Sequence, residues 1–169
     1  CITISSGGKL AEMGENVLVP GGQPPRSAFG HLFGALTRIA GASGVVDSVD
    51  DWQEDGTIEG VRNAVAEFDF VNNPDSPALA IARTLLGKEI GIVSAHELGC
   101  AGTRFANQLN ENGGIFARAT TLPEMNHNEI IAWTEPEADD GQMLILLTWG
   151  GMNERVEKRI EWMFEAVGA

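Results

Sequence analysis

The sequence predicts an α/β fold, a three-layer αβα sandwich built on a five-stranded, mainly parallel sheet. Three observations predict it. Short β-branched or continuously apolar segments alternate with segments whose apolar residues recur at helical intervals, the pattern of a parallel sheet covered on both faces. There are 21 glycines in 169 residues, which suits many tight strand–helix turns. The run MLILL at 143–147 is far too short to cross a membrane and fits a buried strand.

Each element follows in order. CITISS at the start alternates and is rich in β-branched residues, so it predicts a strand. Gly7-Gly8 opens a short helix, KLAEMGEN, and VLVP is a second strand closed by the turn signal PGGQPP. From Ser27, the segment SAFGHLFGALTRIAGASG sets Phe29, Leu32, Phe33, Leu36 and Ile39 at helical intervals and stops at glycine. The segment 47–73 begins acidic, DSVDDWQEDGTIEG, turns amphipathic through Val61, Val65 and Phe68, and is broken by NNPDSP. After Pro77 comes the helix ALAIARTLLG, then the strand EIGIVSA and a helix from Leu98 to Asn112. GIFARATT is the fourth strand, TEPEADDG an acidic loop, QMLILLTW the fifth strand and NERVEKRIEWMFEAV a closing helix. The length fits one domain spanning residues 1–169, with ligands expected at the carboxyl ends of the strands.

A net charge of −13 argues against nucleic acid and against an anionic membrane surface, both of which are bound by basic faces. A small anionic substrate needs a local basic residue to hold it. Cys1 and Cys100 are too few for a disulfide framework and fit reduced thiols of a cytoplasmic protein. No signal peptide is expected, and the opening in mid-strand has the look of a cut domain.

Four places carry candidate chemistry. ISSGGKLAE has the shape of a phosphate loop without being a Walker A motif or a GxGxxG fingerprint, and an ordinary βα turn is the favoured reading. Arg26, after two prolines, stands at a helix start, where a cation opposes the macrodipole; a residue that breaks a local rule is a functional candidate. In the helix at 98–112, Leu98, Ala101, Phe105 and Leu109 form the apolar stripe, while Arg104, Gln108 and Glu111 share another face. Glu111 falls in the last turn, beside outward carbonyls, a setting that suits a proton-transferring base.

The fourth place is TLPEMNHNEI at 121–130. Thr121 and Glu124 have capping-box spacing, and Pro123 favours a first helical turn, so a short helix is expected to project His127. Asn126 and Asn128 flank the imidazole and are placed to fix its orientation, whereas His31 and His96 are assigned to a helix face and a turn. Zinc is not expected, since there is no HExxH and the cysteines lie elsewhere; acyl transfer lacks its GxSxG elbow.

In this order, TISSGGKLAE, PGGQPPRSAFG, QLNENGG and LPEMNHNEI resemble the bifunctional phosphoglucose/phosphomannose isomerase family, over Cys1 to about Trp133. The pairing of NEN with PE-x-NHNE is the specific part. The resemblance implies the second of two sugar-isomerase (SIS) subdomains, a flavodoxin-like fold, acting beside the N-terminal SIS domain of the same parent chain and in a homodimer. It implies interconversion of glucose 6-phosphate or mannose 6-phosphate with fructose 6-phosphate through a cis-enediol, with no metal or organic cofactor. By resemblance Glu111 is the base, His127 opens the sugar ring in a neighbouring subunit's site, Arg26 stabilises the enediolate, and Pro25 lines the sugar pocket.

The sequence also departs from the family. Its phosphate-binding serine and threonine loops sit mostly in the first subdomain, and a further catalytic lysine falls beyond FEAVGA. Gly113-Gly114 stands where a small residue followed by lysine is common, and RFAN replaces a more basic segment. The fragment alone is therefore expected to be inactive. The rival readings are a non-catalytic SIS module that binds a phosphosugar for regulation, and a purely structural interaction domain.

Overall fold

The computed structural model describes residues 1–47, 55–134 and 141–167. Residues 48–54 of the acidic segment and 135–140 of the acidic loop lie outside the described residues. The chain divides into two compact units, Cys1–Phe68 and Asp69–Ala169.

In the first unit, β1 (Thr3–Ser5) is followed by α1 (Gly8–Ala11), β2 (Asn16–Leu18), α2 (Phe29–Ala42) and α3 (Asp55–Glu67). β1 and β2 pair in parallel, with Thr3 opposite Asn16 and Ser5 opposite Leu18. Thr3 and Ser5, two residues apart and so on one face, both donate their hydroxyls to Asn16 Oδ1 at 2.9 Å. The pair stays short for local reasons. Gly7 and Gly8 leave the strand at φ 148° and 67°, and Pro20 brings no N–H to a ladder. α2 ends at Gly44, whose φ of 68° suits glycine alone, but its apolar stripe is not buried: Phe29, Leu32, Phe33 and Leu36 are all exposed.

The second unit runs α4 (Pro77–Leu85), β3 (Glu89–Ala95), a 3-10 turn (His96–Leu98), α5 (Gly99–Gln108) and a π-helical turn (Leu109–Gly113). It continues with β4 (Ala117–Leu122), α6 (Met125–Asn128), α7 (Ile130–Thr134), β5 (Gln142–Leu147) and α8 (Glu154–Val167). α4 starts as its sequence predicts: Pro77 occupies the first turn, and Ala78 N–H donates to the buried Ser76 Oγ at 3.2 Å. All three strands are parallel in the order β4-β3-β5.

β3 is central and buried from Ile90 onward, and its alternating side chains feed two cores. On one face Ile90 and Ile92 pack with Leu85, Ala106 and Ala117, and with Met143, Ile145 and Leu147 of β5. On the other, Val93 joins Leu122, Met125, Trp133, Ile160 and Met163, with Leu144 and Leu146 against them. Helices thus cover both faces of this sheet.

The single five-stranded sheet is corrected to two parallel sheets, one of two strands and one of three. Alternation and apolar content identify all five strands from local sequence. Which strand donates to which depends on ladders between distant segments, and the three-residue β1 and β2 bond to each other.

Candidate functional site

Glu111 is held by the way α5 ends. A helix joining two parallel strands must return along the sheet, so α5 starts beyond the carboxyl end of β3 and delivers Leu109–Gly113 to the amino end of β4. There the helix widens to π geometry. Gly114, at φ 61°, and Ile115 both donate their N–H groups to Leu109 C=O, the latter at 3.2 Å. Glu111 lies in this widened turn, whereas Arg104 and Gln108 lie in the regular helix before it.

Both asparagines beside Glu111 are engaged in structure. Asn110 donates to Ala117 C=O at 2.8 Å and accepts from Ala117 N–H at 3.0 Å. Asn112 donates to Gln108 Oε1 at 3.0 Å. The Glu111 carboxylate is exposed.

His127 sits after the other end of β4. The strand runs to the buried Leu122 and passes through a cis Leu122–Pro123 peptide; α6 then begins, anchored by the fully buried Met125. Two expectations are corrected here. Thr121 forms no capping box, because the ladder extends far enough to pair it with Ser94, and Glu124 takes the N-cap position without a side-chain cap bond. Nor do the asparagines orient the imidazole. Asn126 points its Nδ2 to Met163 Sδ at 3.6 Å, and Asn128 donates to Glu124 Oε1 at 3.4 Å. His127 is exposed on the short helix. His31 lies exposed on α2 and His96 in the 3-10 turn, as their spacing suggested.

Glu111 and His127 therefore flank β4 from opposite ends. Five residue steps at roughly 3.3 Å each put about 16 Å of strand between them, so one copy of this unit does not unite them. Glu111 also stands at the amino end of the sheet, not at the carboxyl end where a ligand was expected.

Arg26 and Pro25 belong to the first unit, in a turn that Ser27 and Ala28 close by donating to Pro24 C=O at 2.9 and 3.3 Å. Both are exposed, and α2 starts only at Phe29, so Arg26 precedes the helix and is not in its first turn. The SSGG segment joins β1 to α1, and in it Ser5 donates to Asn16 Oδ1. Among the described residues no group of three or more His, Cys, Asp or Glu is placed to hold a metal ion, and no helix is long and apolar enough to cross a membrane.

Sequence reasoning missed a charged pair in the second unit. Arg118 lies 3.1 Å from Glu129 Oε2, off hydrogen-bond geometry, and its guanidinium stands 5.6 Å from the centre of the Trp133 ring. It also missed the clamp by Asn110, whose partner lies seven residues on. The only local signal was an asparagine ahead of Gly-Gly and a strand.

Residues 74–169 match the family model of the bacterial phospho-glucose isomerase C-terminal SIS domain. The chain belongs to that family. Over 160 residues this SIS chain is 28% identical to a bifunctional phosphoglucose/phosphomannose isomerase of Thermoplasma acidophilum, covering 94% of the chain and 47% of the relative. It is 29% identical over 143 residues to a D-glucosamine-6-phosphate 4-epimerase of Sulfolobus acidocaldarius, covering 82% and 43%. Among solved structures, a Clostridium difficile protein assigned as a phosphosugar isomerase superposes with a TM-score of 0.62 at 16% identity, over 98% of this chain and 48% of that one, a likeness of fold. The SIS chain spans about half the length of the curated relatives it matches.

Proposed function

We propose that this chain is the C-terminal SIS half of a phosphohexose isomerase that interconverts glucose 6-phosphate or mannose 6-phosphate with fructose 6-phosphate. The observation that carries the reading is the π turn: both asparagines of NEN are engaged, and the carboxylate between them stands free for a substrate. In the open-chain aldose, Glu111 takes the proton from C2. Charge gathers on O1 as the cis-enediol forms, the O2 hydroxyl proton passes to O1, and the same carboxylate returns its proton to C1, leaving the ketone at C2. Arg26 stabilises that oxygen charge, with Pro25 beside it lining the sugar pocket.

His127, at the far end of β4 from Glu111, opens the sugar ring in the site of a neighbouring copy. The exposed Phe29, Leu32, Phe33 and Leu36 of α2 support a partner, since a protein surface commonly covers such a patch. That partner is the N-terminal SIS domain of the parent chain or a second copy. The reaction needs no cofactor.

Similarity to the 4-epimerase of Sulfolobus acidocaldarius favours a second reading, in which the same fold binds a sugar phosphate for chemistry at C4. Assaying the full-length protein separates the two. Fructose, glucose and mannose 6-phosphates are expected to interconvert, and Glu111→Gln to lower kcat by about 100-fold or more. Turnover of glucosamine 6-phosphate alone establishes the second reading. Saturable phosphosugar binding with no turnover leaves a regulatory binding module. Unchanged turnover in Glu111→Gln sinks the isomerase mechanism.

A further inference from the structure

We infer that Asn110 positions Glu111, by tying the π turn that carries the carboxylate to the first residue of β4. The inference rests on Glu111 being the base. Its starting point is the β3–β4 ladder, in which Ile90 is in register with Ala117 and donates its N–H to Phe116 C=O at 3.0 Å. In a parallel ladder that pattern turns the N–H and C=O of Ala117 away from β3. Among the described residues β4 is an edge strand, and no further strand receives them. Ala117 is buried, and both groups need partners.

Asn110 supplies both. Its Oδ1 accepts the Ala117 N–H at 3.0 Å and its Nδ2 donates to the Ala117 C=O at 2.8 Å, so one side-chain amide stands where a neighbouring strand's backbone would be. Two bonds in opposite senses fix the plane of the amide as well as its distance. The backbone that carries Glu111 begins at the next atom along.

On the far side of Glu111 the backbone closes the turn, Gly114 and Ile115 donating to Leu109 C=O, and no side chain there ties it to β4. Asn112 bonds only within the helix, to Gln108, and Gly113-Gly114 follow, with Gly114 at φ 61°. Leu109 packs on the core before the turn, but it fixes the helix axis more than the direction of the carboxylate. A base must sit within a fraction of an ångström of the proton it removes, and a displacement of about 1 Å costs on the order of 100-fold in rate.

The test uses the full-length protein and four variants: Asn110→Ala, Asn110→Asp, Glu111→Gln and the double Asn110→Ala/Glu111→Gln. Folding is checked by circular dichroism and urea unfolding before kcat and KM are measured separately. Asn110→Ala is expected to lower kcat by about 10- to 100-fold and to leave KM within about twofold. Asn110→Asp keeps the acceptor for Ala117 N–H and loses the donor, so it falls between; it carries the test if the alanine variant fails to fold.

The deciding comparison is the double variant. If Asn110 acts through Glu111, its removal costs nothing further once the carboxylate is gone. An equal loss in both backgrounds, or full activity of folded Asn110→Ala and Asn110→Asp beside a dead Glu111→Gln, overturns the inference and leaves the base intact. An active Glu111→Gln overturns the base reading itself, whatever Asn110 does.

Discussion

At the scale of single residues, position 91 shows how an absent side chain admits a large neighbour. A Cβ on Gly91 would lie 2.8 Å from Trp133 Cη2 and 3.0 Å from Leu144 Cδ1, and closer still to Trp133 Cζ2. The Trp133 ring is largely buried, beside Arg118, and would have to shift to admit a methyl group. Gly91→Ala is therefore expected to destabilise the protein by about 1–3 kcal/mol, an overpacking cost read from the urea midpoint. An unchanged midpoint would show that the indole moves aside freely. The same scale explains what the sequence revealed of the site. Glu111 and His127 stood out by residue type and neighbourhood. The duties of the asparagines around them did not, because Asn110 answers to Ala117 and Asn126 to Met163, partners fixed only by the folded chain.

At the scale of elements, periodicity exposed every strand and the main helices, while their ends depended on context. A strand that keeps pairing to Leu122 removes Thr121 from the helix it was spaced to cap. A helix expected to run regularly to Asn112 widens to π geometry over Leu109–Gly113. Turns with their own side-chain bonds are more self-contained, and the one after α3 makes a pH prediction. Asp69 accepts from Val71 N–H at 2.9 Å and Asn72 N–H at 3.2 Å through Oδ1, and from Asn72 Nδ2 at 2.7 Å through Oδ2.

The Asn72 side-chain amide, then the backbone N–H groups of Asn72 and Val71, hold the Asp69 carboxyl below its ordinary value. A depressed folded value means that the stabilisation is present above the ordinary carboxylate range and is lost as pH falls through the depressed one. The gap in urea midpoint between the parent and Asp69→Asn is thus expected at neutral pH and should close on acidification. A gap that stays constant with pH would assign the effect to shape and not to charge.

At the scale of the whole molecule, the family was legible in four motifs, yet the number of sheets was not. Motifs are local, whereas a sheet is a set of pairings between distant segments, and here they divide into two strands and three. What the fold adds is the separation of two candidate catalytic groups. Glu111 precedes β4 and His127 follows it, so the proposed chemistry requires a histidine from another copy.

Mixing full-length Glu111→Gln with full-length His127→Ala tests this most directly. Neither variant alone should isomerise fructose 6-phosphate appreciably. After subunit exchange in a two-fold dimer, half the pairs are mixed and each has one site with both groups intact, which predicts about one quarter of the parent activity. Activity that stays at the level of the separate variants after exchange would contradict a shared site built from Glu111 and His127.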